Sequence, residues 1–212
     1  GAGKDSSGNG NHWAEQNDSG SAWATTDQFT DTPSKNFCTW DHGRNAGHTL
    51  TEGALKATGG AVSSSQFDTG LGTMFVSSGK YYWEINRDND PAGTDRFRTG
   101  VAQDSIPAVM SSDDRTDFFG LSENGQIHGG GLALTNYGDS TTTGDYIGVA
   151  LDMDRNAIYF SKNGTWMNSA SASGIADGSD LAKAAHTNVI GSVTPFISTY
   201  DAQVATLRTA SG

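Results

Sequence analysis

Asp88-Asn89-Asp90-Pro91-Ala92-Gly93 opens like a calcium loop, with acids at the first and third places and glycine at the sixth. Calcium takes six or more oxygens, and here Ala92 fills the fifth place and Thr99 the twelfth, where a bidentate glutamate belongs. Asp152-Met153-Asp154-Arg155-Asn156 also spaces oxygens by two, but Ala157 stands where such a loop needs glycine. His12, His42, His48, His128 and His186 show neither His-x-His nor His-Glu-x-x-His spacing for zinc. Glycoside cleavage needs two carboxylates aimed at the sugar bond, and Glu84 is followed at alternating positions only by Asn86 and Asp88. No Gly-x-Ser-x-Gly elbow is present, and Gly129-Gly130-Gly131 lacks the Lys-Ser/Thr of a phosphate loop, so it reads as a hinge between strands. Asn163-Gly164-Thr165 matches a glycosylation sequon and reads as a turn. The expectation is no catalytic residue, no metal and no cofactor.

Recognition chemistry is better represented. Trp40, Tyr137, Tyr146 and Trp166 stand beside Gly, Asn and Asp, whereas Trp83 lies inside an apolar strand and reads as core. A flat ring stacks on sugar or peptide, and short polar groups fix its orientation. Segments 86–96, 108–117 and 136–144 are polar and rich in Asp, Asn, Arg and Tyr, so they read as recognition loops. The binding candidates are Asp88, Asp90, Arg96, Arg115, Tyr137, Asp139 and Trp166.

What must position these loops is a set of strands. In Tyr146–Met153, Ile147, Val149, Leu151 and Met153 alternate with Gly148, Ala150 and Asp152, and Ile158 and Phe160 repeat the pattern after a polar turn. Asn163-Gly164 supplies the two positive-φ residues of a type I′ turn, so Thr165 and Trp166 begin a third antiparallel strand. Gly79–Ile85 is aromatic and β-branched. Leu50–Leu55, Ala61–Phe67 and Thr73–Val76 read as strands broken by Gly53, Gly59-Gly60 and Gly70-Leu71-Gly72. The expected core is Tyr82, Trp83, Ile85, Val101, Ile147, Val149, Leu151, Ile158, Phe160, Phe196 and Ile197. Residues 167–192 form a Ser/Ala/Gly-rich insertion, with a short helix expected over Asp180–His186, capped by Ser179 or Asp180. No repeat of solenoid or propeller period is present.

The stretches Gly79-Lys-Tyr-Tyr-Trp-Glu-Ile85, Phe97–Ala102, Phe119–Gly125, Gly144–Gly164 and Val193–Ser198 resemble the SPRY family. That resemblance implies an all-β fold, a two-sheet antiparallel β-sandwich of concanavalin A-like jelly-roll type, over residues 37–212. Residues 1–36 precede it as an irregular arm carrying Trp13, Trp23 and Phe29. Asp5–Trp13 and Asp31–Thr39 are similar to a leader found ahead of SPRY-like modules in bacteriophage structural proteins. The resemblance implies a virion binding module in a tail fibre, tail tip or surface decoration, recognising a host glycan or surface protein through its loops. A capsid- or tail-cementing protein with no receptor role is the alternative, and a glycan-active enzyme of the same fold is the third reading. An intracellular adaptor of eukaryotic type ranks fourth. Partners would be other virion subunits in a homo-oligomer, a trimer or larger array, soluble and assembled in the host cytoplasm.

Composition bounds these readings. With 13 Lys and Arg against 24 Asp and Glu, the formal charge is −11 and the pI near 4.6, which disfavours nucleic acid and anionic membrane as partners. The 28 glycines suit many strands joined by tight turns, and a hydrophobic content of 34% is low for a compact domain, which either long solvated loops or burial against neighbouring subunits would explain. The single cysteine, Cys38, admits no internal disulfide and reads as a buried thiol within a strand. No membrane-spanning run or signal peptide is read, and the start at Gly1 without methionine suggests a processed product or part of a longer polypeptide.

Overall fold

A computed structural model describes residues 37–45, 47–60, 66–90, 96–111 and 115–208. The expected arm, 1–36, and most of the strand expected over Ala61–Phe67 lie outside the described residues. The chain begins with β1 (Trp40–Asn45), β2 (Thr49–Thr51), β3 (Lys56–Thr58), β4 (Phe67–Gly72) and β5 (Lys80–Asn89). Next come β6 (Arg98–Gln103), β7 (Val109–Met110), β8 (Phe118–Ser122), β9 (Gln126–Gly129) and β10 (Thr135–Asn136). It ends with β11 (Tyr146–Asp152), β12 (Ala157–Lys162), β13 (Thr165–Trp166), α1 (Ala172–Asp177), β14 (Val193–Thr199) and β15 (Val204–Arg208).

Two antiparallel sheets form the sandwich. One runs β1-β4-β14-β6-β8-β9-β10 with β7 beside β4, and the other runs β13-β12-β11-β5-β15-β3-β2. Alternation sends Trp83, Ile85, Val149, Leu151 and Phe160 of the second sheet inward against Val101, Phe119, Leu121 and Ile197 of the first. The outer faces are covered too. Ile106 and Met110 join Leu71, Ala102, Phe118 and Phe196 in a second cluster outside the first sheet. Ile175 of α1 packs on Ala157 and Tyr159 outside the second. Neighbours such as Phe196 and Ile197 are therefore both buried, one in each cluster.

The hairpins follow local chemistry. Asn163 and Gly164 have φ of 50° and 81°, as a type I′ turn demands, and Lys162 pairs with Thr165 across it. Several expectations are corrected. Tyr82 is 48% exposed, because strict alternation puts its neighbours Trp83 and Tyr81 on the opposite face. Gly70-Leu71-Gly72 lies within β4 instead of breaking it: a Cβ at Gly72 would stand 2.7 Å from Cys38 Sγ and 2.9 Å from Thr194 Oγ1, so glycine lets its neighbours close in. Of Thr73–Val76 only Val76 makes a bridge, to Val193, and Leu50–Leu55 spans β2 and the β2–β3 turn. The α-helix lies at Ala172–Asp177, where the Ser171 side chain caps it by accepting from the Gly174 N–H; within 180–186 only Leu181–Lys183 forms a single 3-10 turn. Cys38 is buried but precedes β1 instead of lying in a strand.

Candidate functional site: the loop end of the sandwich

β5 carries Arg87 on the same face as Trp83 and Ile85, so a guanidinium enters the end of the core. Its side chain is 2% exposed. Nη2 donates to Glu123 Oε2 at 2.6 Å and to Asp90 Oδ2 at 2.8 Å, and Nη1 donates to the carbonyl and hydroxyl oxygens of Thr141. The guanidinium also lies over the Phe97 ring, 5.0 Å from its centroid. Such a charge is tolerable in a core only because it is paired and hydrogen-bonded.

One side chain thereby ties several loops together. Asp90 accepts from Gln203 in the β14–β15 turn, Glu123 accepts from the Arg96 backbone N–H, and the Thr141 N–H donates to the Glu123 carbonyl. Asp145 continues the network, accepting from Asn163 at 2.7 Å and from the Thr142 N–H at 2.8 Å, with Lys162 at 3.2 Å. Burial alone would raise the Asp145 carboxyl, but Asn163, Thr142 and Lys162 hold it below the usual carboxylate range.

The expected binding residues meet different fates here. Asp90 belongs to the Arg87 network, and Asp88 accepts from Asn86 and Thr206. Arg96 stacks over Tyr200 at 4.5 Å and is half-buried at the same end. Asp139 is exposed. Tyr137 is not a loop platform: it is 8% exposed, its ring meets Phe160 edge-on at 6.2 Å, and its hydroxyl donates to the Lys183 carbonyl. Burial pushes its phenol well up. Arg115 is held by Asp117, which accepts from its Nε at 2.8 Å, and the Arg115 carbonyl accepts from Gly131, so it stands near the opposite end of the first sheet. Thus Asp90 and Arg96 meet the 136–144 segment at one end, with 86–89 continuing β5 instead of forming a loop, while Arg115 does not join them and Val109–Met110 form β7. The calcium-like segment falls partly outside the described residues. Among those described, no group of three or more His, Cys, Asp or Glu is arranged to hold a metal ion.

The family model of the SPRY domain matches residues 80–205. The chain belongs to the SPRY family. The crystal structure of the SPRY domain of human HERC1 superposes with a TM-score of 0.61 at 20% identity, covering 82% of this chain and 99% of that one, a likeness of fold. No curated protein matches the chain. Among the described residues no helix is long and apolar enough to cross a membrane.

This SPRY domain also presents aromatic surface outside the loops. Trp166, in β13, is half-buried and meets the Tyr82 ring at 6.1 Å in a T-shaped contact on the outer face of the second sheet. Burial, then the hydrogen bond and charge of Glu84, raise the Tyr82 phenol to about 12. On the same face Arg208 lies over Tyr146 at 4.8 Å. Sequence reasoning missed Arg87, Glu123, Gln203 and Tyr200. A signal for Arg87 existed, since it continues the inward phase of Trp83 and Ile85; its distant partners Glu123 and Thr141, 36 and 54 residues away, carry none.

Proposed function

We propose that this SPRY domain is a non-enzymatic recognition module of a bacteriophage particle, in a tail fibre, tail tip or surface decoration, that binds a host surface glycan or protein through its loop end. The observation that carries the reading is the buried Arg87 network. It ties the β5, β8–β9, β10–β11 and β14–β15 loops into one preorganised surface, which lowers the entropy that binding must overcome. Exposed at this end are Asn89, the last residue of β5, and the loop residues Asp139, Ser140, Thr142, Thr143 and Asp201, with Arg96 stacked on Tyr200 beside them. Short polar groups around a ring suit a sugar or a peptide. The wording of the leader, 1–36, supports the phage context, and the other partners proposed are copies of this chain and neighbouring virion subunits.

The test is binding of the purified chain to a glycan array and to host cells, with Asp139→Ala and Arg96→Ala alongside. Binding that either variant weakens supports the reading. A chain that binds neither glycan nor cell but joins the particle is a cementing protein, and the recognition reading fails.

A further inference from the structure

One rung of laterally paired residues crosses the outer face of the second sheet from β13 to β15. In order it reads Trp166, Ser161, Gly148, Glu84 and Arg208, each opposite the next. The rung faces outward, because the alternate residues Phe160, Val149, Ile85 and Leu207 belong to the core, while Trp166 packs on the outer cluster. Four strand spacings make it roughly 19 Å long.

Two further rings lie along the rung. A Cβ at Gly148 would stand 2.8 Å from Tyr82 Oη and 2.3 Å from Ser161 Oγ, so glycine lets the phenol lie over the sheet. The Tyr82 ring is 48% exposed and meets Trp166 at 6.1 Å. Its hydroxyl donates to Glu84 Oε1 at 2.7 Å, and Glu84 Oε2 accepts no bond among the described residues. Arg208 is exposed and lies over the Tyr146 ring at 4.8 Å, with no carboxylate partner among the described residues.

These features select a class of ligand. Partly exposed rings stack on the apolar face of a sugar, while a carboxylate accepts from its hydroxyls and a guanidinium donates to them. One negative and one positive charge on the same rung complement a ligand with no net charge whose hydroxyls both donate and accept. We propose that this face is a second binding site, for a neutral oligosaccharide segment, with Tyr82 and Trp166 as its stacking platform and Glu84 and Arg208 as its hydrogen-bonding groups. It goes beyond the loop-end reading and uses neither Arg96 nor Asp139.

The test uses the full chain and defined probes. These are neutral linear oligosaccharides of glucose, galactose, mannose and N-acetylglucosamine, with a sialylated and a sulfated oligosaccharide for comparison. Binding is read by titration calorimetry and by tryptophan fluorescence, to which Trp166 contributes directly. At least one neutral probe should bind, and Tyr82→Ala and Trp166→Ala should each weaken it about tenfold or more. Arg208→Ala, at an exposed position, should weaken it severalfold with the unfolding midpoint unchanged, so the test does not depend on a ring deletion that fails to fold. Arg96→Ala and Asp139→Ala should leave this binding as it is. If no neutral probe binds at millimolar concentration, or only the anionic probes bind, the proposal is overturned. Neutral-sugar binding that is lost in the loop-end variants and kept in Tyr82→Ala and Arg208→Ala overturns it too, and assigns the sugar to the loop end.

Discussion

Arg87 and Glu123 meet at 2.6 Å with side chains only 2% and 6% exposed, joining the second sheet to the β8–β9 turn of the first. The pair is the mechanical centre of the loop end, because Asp90, Thr141 and the Arg96 N–H all bond to one or other of its members. Removing one member leaves the other charged and buried. Glu123→Ala and Arg87→Ala should each cost on the order of 3–5 kcal/mol. An apolar pair, Arg87→Met with Glu123→Leu, should lose clearly less than the two single losses combined. Urea unfolding of the four proteins checks this; single variants as stable as wild type would show that the pair is solvated in solution.

The Asn163-Gly164 turn isolates a backbone effect. A Cβ placed on Gly164 meets nothing within 4 Å, so a side chain there has room and only its φ of 81° is at issue. Gly164→Val should destabilise by about 1–3 kcal/mol through that strain. The measurement is the thermal midpoint against wild type, and an unchanged midpoint would mean the turn relaxes freely to another type.

The strands that were legible are those whose order is local. In β11 and β12, alternation and an Asn-Gly turn suffice, and Ile147, Val149, Leu151, Ile158 and Phe160 all lie in the core as their spacing requires. Tyr82 misled because an aromatic in a core strand looks apolar whichever face it takes. β4 was hidden because Gly70 and Gly72 read as breakers, while their role is set by Asn45, Cys38 and Ile197, all distant in sequence. The loop end was half legible. Polarity marked 86–96 and 136–144 as loops, yet 86–89 continue β5; that this end meets the 136–144 segment depends on Arg87 reaching Thr141, 54 residues on, and polarity likewise marked Tyr137, which the fold buries. Which polar residue is tied down and which stays free is a tertiary fact.

His186 should make stability depend on pH. The ring is 1% exposed and packs edge-on to Phe119 at 5.5 Å; burial first, and then the charge of His128, lower its pKa from 6.5 to about 4. A histidine whose folded pKa is depressed binds its proton better when unfolded. Its stabilisation is therefore fully present above pH 6.5 and declines as pH falls toward 4, by up to roughly 3 kcal/mol. Asp68, whose carboxyl burial raises, works in the opposite sense in acid, so the comparison must be with a variant. Unfolding midpoints between pH 7.5 and 4.5 should fall more steeply for wild type than for His186→Phe; parallel curves would show that the imidazole is reached by water.

Tyr137 and Asp139 are two residues apart and should separate packing from recognition. Tyr137 fills the core against Phe160 and bonds the Lys183 carbonyl, anchoring the 167–192 insertion. Tyr137→Ala should cost about 3–5 kcal/mol, as large aromatic deletions in cores do. Tyr137→Phe removes only the hydroxyl, leaving the Lys183 carbonyl the bond from Asn168 Nδ2, and should cost about 1 kcal/mol. Neither change should alter ligand binding at temperatures where the variant is folded, since the ring is buried. Asp139 is exposed and lies on the loop tied to Arg87 through Thr141, so Asp139→Ala should leave the unfolding midpoint where it is and lower binding to the glycan or host surface. Equilibrium unfolding and binding isotherms on the same three proteins decide the matter. Were Asp139→Ala to bind as wild type while Tyr137→Phe, fully folded, lost binding, the contact surface would lie beside the insertion and not on the loop end.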